Sequence, residues 1–352
     1  MTISHSISIY DHDGYELAEI EASIEVNWIL NEYGNASFTL PVRDPKCTEV
    51  NLRYGNFVLV RFRDENNAPV LPDWCGMIDT PREWLNQQVK ISCYSAEYIL
   101  TKRTGTRDET VTGVAGALFQ RCINRANEDA DTLIRLGNVY GGGSERQLTF
   151  HYQQIYKAVT GDGTGGLAQR AENDFEIVPD VQQSGRLQFL ANWYERAGVD
   201  RLTQLIEGYN IERTTVREQG RLTNDLVGYG DGATWPDRPV YHAKDQELIG
   251  KYGLMKDSFS AGASEYGTVR VNTEQEIARR KQPTLSLRLA ALDVADTYAN
   301  IRLGDRLPLR LTTAGFADAN GEIGLSTVVR IVGMKYNTDA HKLELTCEED
   351  NE

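Results

Sequence analysis

The chain has 352 residues, enough for two or three domains rather than a single core. With 40% hydrophobic and 25% charged residues it has the composition of a globular protein, and no apolar run reaches the roughly 20 residues that cross a bilayer. The formal net charge of −14 argues against tight nucleic-acid binding, which needs cations to displace counterions, but leaves room for a passive channel. Met1-Thr2-Ile3-Ser4-His5 carries no basic patch leading into an apolar stretch, so no secretory signal is read there.

The first hundred residues have strand periodicity. Ile7 and Ile9 alternate with Ser6 and Ser8, and Asp11-His12-Asp13-Gly14 then marks a turn into a strand around Glu16–Glu21. Further strands are expected at Ser37–Pro41, Phe57–Phe62, Cys75–Trp84 and Val89–Tyr94. Short strands parted by Gly, Asn, Asp and Pro suggest a small barrel or sandwich.

After Arg103 the period changes. Val111, Val114, Ala115, Leu118, Phe119, Cys122 and Ile123 recur at helical spacing, with Thr110 placed to cap. A second helix is expected from Tyr152 with Ile155 and Val159 on one face. It stops at the Gly161–Gly166 run and resumes over Leu167–Asn173. Strands around Phe175–Val178 and Arg186–Leu190 complete an inserted α/β segment, 104–205.

Strand alternation then returns in Leu285–Leu289, Leu307–Leu311 and Leu343–Cys347, as for antiparallel strands with one wet face. Pro308 lacks an N–H, which points to an edge strand or a bulge. Between Gly230 and Asn272 no period is visible, and a long loop-rich excursion is expected at about 231–272. The fold class expected is α+β, mainly β. It comprises a first β-barrel at 1–103, the insertion at 104–205 and a second, similar β-barrel at 206–352 bearing the excursion.

The two β regions repeat each other in outline. Gly55-Asn56, Gly76-Met77 and Cys93 in the first are answered by Gly304-Asp305, Gly333-Met334 and Cys347 in the second, in the same order.

Chemistry is sparse. His5, His12, His151, His242 and His341 stand singly. Cys47, Cys75, Cys93, Cys122 and Cys347 form no CxxC pair, so buried free thiols are expected. Neither Gly141–Ser144 nor Gly161–Gly166 has a Gly-Lys-Ser/Thr ending, and Asp11–Gly14 lacks the downstream ligands of a calcium loop. Asp318-Ala319-Asn320-Gly321 is a turn signal, and no Gly-x-Ser-x-Gly elbow occurs. Trp74, Trp84, Trp193 and Trp235 invite a sugar-groove reading, but packing is the commoner fate of tryptophan. No catalytic, cofactor or metal residue is assigned, and the chain is not expected to be an enzyme.

The arrangement resembles the tail-hub family of bacteriophages, which includes the T4-type baseplate hub and the tail-associated proteins of siphophages. The resemblance is carried by Asn35–Pro41, Gly55–Phe62, Trp74–Asp79, Leu303–Leu307 and Val329–Met334. It implies a structural homotrimer whose six barrels match a hexameric distal tail or tail tube protein. The other face would receive central fibre, spike or receptor-binding proteins. The tape-measure protein C-terminus would contact the hub, DNA would pass only in transit, and no membrane insertion is implied. The location implied is the virion tail tip, after synthesis in the bacterial host cytoplasm. No tip enzyme, needle or iron–sulfur cluster is expected on this polypeptide. On the wet strand faces, Arg306 and Arg310 are candidate ring contacts. The alternatives are the hub of a contractile injection system and a tail-borne polysaccharide depolymerase or lectin.

Overall fold

The computed structural model describes residues 3–105, 108–150, 152–161, 166–219, 222–232, 234–261, 265–281, 284–315 and 323–350. The first β region contains β1 (Ser4–Tyr10), β2 (Glu16–Ile20), β3 (Ile24–Ile29), β4 (Asn35–Pro41), β5 (Phe57–Arg63), β6 (Trp74–Leu85) and β7 (Gln88–Ser95). There follow β8 (Glu109–Val114), α1 (Ala115–Ala126), β9 (Ile134–Val139), β10 (Glu145–Phe150), α2 (Ile155–Thr160), α3 (Leu167–Ala171), β11 (Asp174–Val181) and β12 (Leu187–Tyr194). The remainder holds β13 (Leu205–Ile206), β14 (Ile211–Gln219), β15 (Asp225–Tyr229), β16 (Val240–Lys244), α4 (Gln246–Tyr252), β17 (Lys256–Ser260) and α5 (Tyr266–Arg280). It ends with β18 (Thr284–Ala291), β19 (Arg306–Leu311), β20 (Leu325–Asn337) and β21 (Lys342–Glu349). The chain is mainly β, as its alternating patterns predict. It divides into two compact units, Met1–Thr215 with Leu287–Glu352, and Val216–Ser286.

The repeat seen in the sequence is a repeat of strand order. In the large sheet the neighbours run β3-β4-β7-β6-β5 in one half and β14-β18-β21-β20-β19 in the other. Local chemistry dictates each part. Asn86 and Gln87 both adopt positive φ, the conformation of a tight hairpin turn, and they fold β6 back onto β7. Gly55 and Gly304 sit at φ 89° and 86°, and each opens a strand by the same pair of backbone bonds. Gly55 N–H donates to Ile78 O (3.0 Å) and Ile78 N–H to Asn56 O (2.8 Å). Gly304 N–H donates to Ile331 O (2.8 Å) and Ile331 N–H to Asp305 O (2.9 Å). Ile78 lies opposite Cys93 and Ile331 opposite Cys347, so two of the three sequence landmarks are structurally equivalent.

The third is not. Gly76 lies two residues before Ile78, whereas Gly333 lies two residues after Ile331. Each glycine answers its own crowding. A Cβ on Gly76 would fall 2.3 Å from Tyr94 O, and one on Gly333 would fall 3.2 Å from Thr346 Cβ.

Other expectations change in detail. The two β regions do not close into separate barrels: among the described residues they share one open sheet of 13 strands. The reason is the length of β20, whose second half passes beyond β19 and pairs with β3, from Gly333 opposite Ile29 to Asn337 opposite Glu25. The strand holding Pro308 is not an edge, since β19 has β20 on one side and the short parallel β13 on the other. The ladder is interrupted opposite the proline instead, because the neighbouring chain pairs at Asp200 and resumes only at Leu205. Thr110 does not cap α1. It lies in β8, paired with Thr149 of β10, and the helix starts at Ala115 after Val114. Sequence periodicity also overlooked β3, β8, β9, β10 and β13 to β17.

The 104–205 segment shares its core with the first β region. Phe119, Cys122, Phe175, Phe189 and Trp193 join Tyr10, Phe57, Leu59 and Cys75 in one buried cluster, and Phe57 meets Phe189 with ring centroids 5.1 Å apart. Burial of such side chains contributes about 1.5–3 kcal/mol each.

The excursion expected at 231–272 lies within the second unit, which is folded. β15 pairs antiparallel with β16 and parallel with β17, and α5 packs on this sheet through Ile277 against Leu226 and Ala243. Gly228 permits the close approach, because a Cβ there would lie 1.9 Å from Thr273 Oγ1. Among the described residues no helix is long and apolar enough to cross a membrane. The turn expected at Asp318–Gly321 lies outside the described residues, as do 162–165 of the Gly161–Gly166 run.

Gly55 and Gly304 share a conformation but not a neighbourhood. A Cβ on Gly55 meets nothing within 4 Å, whereas one on Gly304 would lie 2.7 Å from Ala197 O. Gly55→Ala should therefore cost about 1 kcal/mol of backbone strain, and Gly304→Ala roughly 2–4 kcal/mol, in urea unfolding of the two variants.

Candidate functional site

Polar chemistry concentrates where the inserted segment leaves β12 and meets the second repeat. Three buried carboxylates organise it. Asp305 accepts from Val199 N–H (2.9 Å), Arg302 N–H (2.8 Å) and Arg201 Nε (2.6 Å). Asp174 accepts from Asn31 Nδ2 (2.7 Å) and Ala197 N–H (2.7 Å), and it pairs with Arg330. The same guanidinium donates to Ala197 O (3.0 Å) and Gly304 O (3.2 Å). Asp350 pairs with Arg196 and with Arg306 Nε at 3.2 Å. A desolvated charge is tolerated only when paired and hydrogen-bonded, and these bonds bolt residues 196–201 onto β19 and β20. The backbones touch at Gly198 (φ 83°) and Gly304: a Cβ on Gly198 would lie 2.1 Å from Gly304 C.

Beside this junction is a cavity of about 460 Å³ lined by Trp28, Trp74, Glu97, Glu176, Tyr194, Arg302 and Asp305, among others. Glu97, at the start of a short helical turn, is buried there. It accepts from Ser95 Oγ at 2.5 Å and Ile177 N–H at 2.8 Å. Burial pushes its carboxyl up to about 7, against the lowering effect of those bonds. The arrangement ties β7 to β11. Among the described residues no group of three or more His, Cys, Asp or Glu is placed to hold a metal.

The residues singled out by sequence scatter. Arg306, expected at a ring contact, lies with its guanidinium between Asp200 Oδ1 (3.1 Å) and Asp350 (3.2 Å) of its own chain. Arg310 is exposed on β19, and its carbonyl accepts from Glu207 N–H at 3.0 Å. The two are not brought into one site. Trp74 and Trp193 are in the core, while Trp84 and Trp235 are exposed. Four cysteines are buried free thiols whose burial raises them, Cys122 to about 12. Cys47 is only partly buried. His5, His12, His242 and His341 lie on different elements, and His151 is outside the described residues. The Asp–Arg junction left no sequence signal, because its members are separated by up to 176 positions, from Asp174 to Asp350.

Glu97 makes stability depend on pH. The folded state keeps a proton that the unfolded chain releases above about 4.5, so stability falls as pH rises from there to about 7 and is then level. The loss is on the order of 3 kcal/mol. Glu97→Gln should remove it: thermal melts of variant and wild type should converge near pH 4.5, with the variant the more stable at pH 8.

No protein-family model matches the sequence, and no curated protein matches it. Solved structures do match. The 43 kDa tail protein of prophage MuSo2 from Shewanella oneidensis superposes with a TM-score of 0.61 at 13% identity, over 97% of this chain and 98% of that one. The tail protein from Neisseria meningitidis MC58 gives 0.58 at 13% identity, over 98% and 97%. Prophage tail protein gp18 from Listeria monocytogenes EGD-e gives 0.57 at 11%, over 99% and 95%. Along nearly its whole length, the chain has the fold of phage tail proteins.

Proposed function

We propose that this chain is a structural subunit of a phage tail tip or baseplate, acting as a trimeric hub rather than an enzyme. The observation that carries the reading is the pair of equivalent five-strand units within one chain, in a fold shared end to end with phage tail proteins. Three such chains would carry six units, so one face of a trimer matches a sixfold tube while the assembly remains threefold. On that reading the sixfold face meets a hexameric distal tail or tail tube protein. The threefold face takes central fibre, spike or receptor-binding proteins.

The opening on the axis would meet the end of the tape-measure protein and then pass DNA. A channel wall for DNA should not hold it, and the formal net charge of −14 suits a surface that repels phosphate. The exposed face of β19, with Arg310, is a candidate ring contact; Arg306 would support it from within through Asp200 and Asp350.

The test is the mass of the full chain in solution by light scattering, with micrographs of assembled tails. A species of three times the chain mass, seen as a ring at the tail tip, is expected. A compact monomer that never joins a tail would overturn the reading.

A further inference from the structure

Strand β20 has two partners on one flank. Its first half pairs with β19, and its second half, Gly333–Asn337, pairs with β3 of the other repeat. Its counterpart β6 begins alike: Trp74–Met77 pairs with β5. The second half of β6 then runs on with β7 alone, and among the described residues no strand pairs with its other edge.

The pairing fixes the equivalence. With Cys93 matched to Cys347, Trp84 lies opposite Val89 as Tyr336 lies opposite Leu343, and Leu85 lies opposite Gln88 as Asn337 lies opposite Lys342. Tyr336 is 1% exposed, and its ring meets Phe62 of the other repeat at 5.4 Å. Trp84, in the same place, is 64% exposed, and Leu85 beside it 72%. The complementary surface is incomplete too. β3 has β20 along its flank, whereas β14, which takes the place of β3 in the second repeat, ends the sheet among the described residues. Each chain thus carries one finished seam and the two unmatched halves of a second.

We propose that a second copy of this chain completes it: Arg82–Leu85 of one copy pairs with β14 of the next, repeating between chains the β20–β3 seam made within each. The inference rests on the hub reading and names its subunit contact. Arg82 is held by Glu49 and Leu52 O of its own chain, but Trp84 and Leu85 stand exposed on an unpaired strand edge, which invites another chain, and the edge with the matching place in the repeat is at the far end of the same sheet. Because the two edges differ, the contact is head to tail, the kind that closes into a ring when its rotation allows. Around such a ring, seams within chains would alternate with seams between them.

The experiment uses the full chain in two forms. In one, Trp84→Glu with Leu85→Glu places charge on the β6 edge. In the other, Leu85→Cys is combined in turn with Glu212→Cys, Thr215→Cys or Arg217→Cys, and is oxidised and run on denaturing gels. The expected result is a wild-type trimer and a glutamate variant that dissociates at more than tenfold higher concentration with an unchanged thermal melt. At least one cysteine pair should link separate chains. A wild-type trimer whose glutamate variant associates equally well, with no cysteine pair linking, overturns the seam and leaves the hub reading standing. A wild type that stays monomeric at all concentrations overturns both. If the glutamate variant does not fold, the cysteine pairs decide alone.

Discussion

Five residues of β20 paired with β3 hold the large sheet together. From Gly333 to Asn337, β20 lies against Ile29 to Glu25, joining segments about 300 positions apart in the chain. The bonding continues at both ends, with Leu30 N–H on Val332 O (2.9 Å) and Ile24 N–H on Thr338 Oγ1 (2.8 Å). Lys335 and Glu25 add an ion pair at 3.0 Å, exposed enough to contribute only a few tenths of a kcal/mol. The larger stabilisation is apolar: Tyr336 is packed between Phe62 and Tyr298, and Trp28 meets Phe62 at 5.9 Å. Without this pairing the two repeats would present raw strand edges instead of one sheet.

The Asp–Arg junction does a different job. Hydrophobic contact is tolerant of small slips, and the insertion already shares a greasy core with the first repeat. Its exit toward the second repeat is held by directional bonds on Asp174, Asp305 and Asp350, which allow one geometry. Breaking one partner would strand a buried charge, so these contacts set orientation more than they add stability. Two positive-φ glycines, Gly198 and Gly304, let the backbones come close enough for those bonds to form.

Much of the repeat was legible because its cause is local. A glycine at positive φ opens β5 and β19, and an inward cysteine lies opposite Ile78 and Ile331. Gly-Met misled because glycines arise wherever a backbone is crowded, and Gly76 and Gly333 are crowded by different neighbours. β8 resembles the start of a helix in sequence, because Val111 and Val114, three apart, suit either period until Thr110 is seen opposite Thr149. The second unit escaped for want of apolar pattern, its core being as small as Leu226, Ala243 and Ile277.

By itself the sequence determined which stretches alternate, where turns fall, that the chain is mainly β with an α/β insertion, and that two of its regions are alike. Those properties depend on side-chain period and on residues within a few positions of one another. Only the tertiary structure decided that the two regions form one open sheet rather than two barrels, that Arg306 is engaged within its own chain, and that Trp84 is left uncovered where Tyr336 is buried. Strand pairing and charge burial depend on residues that meet across hundreds of positions, and no local pattern records which strand edge will find which partner.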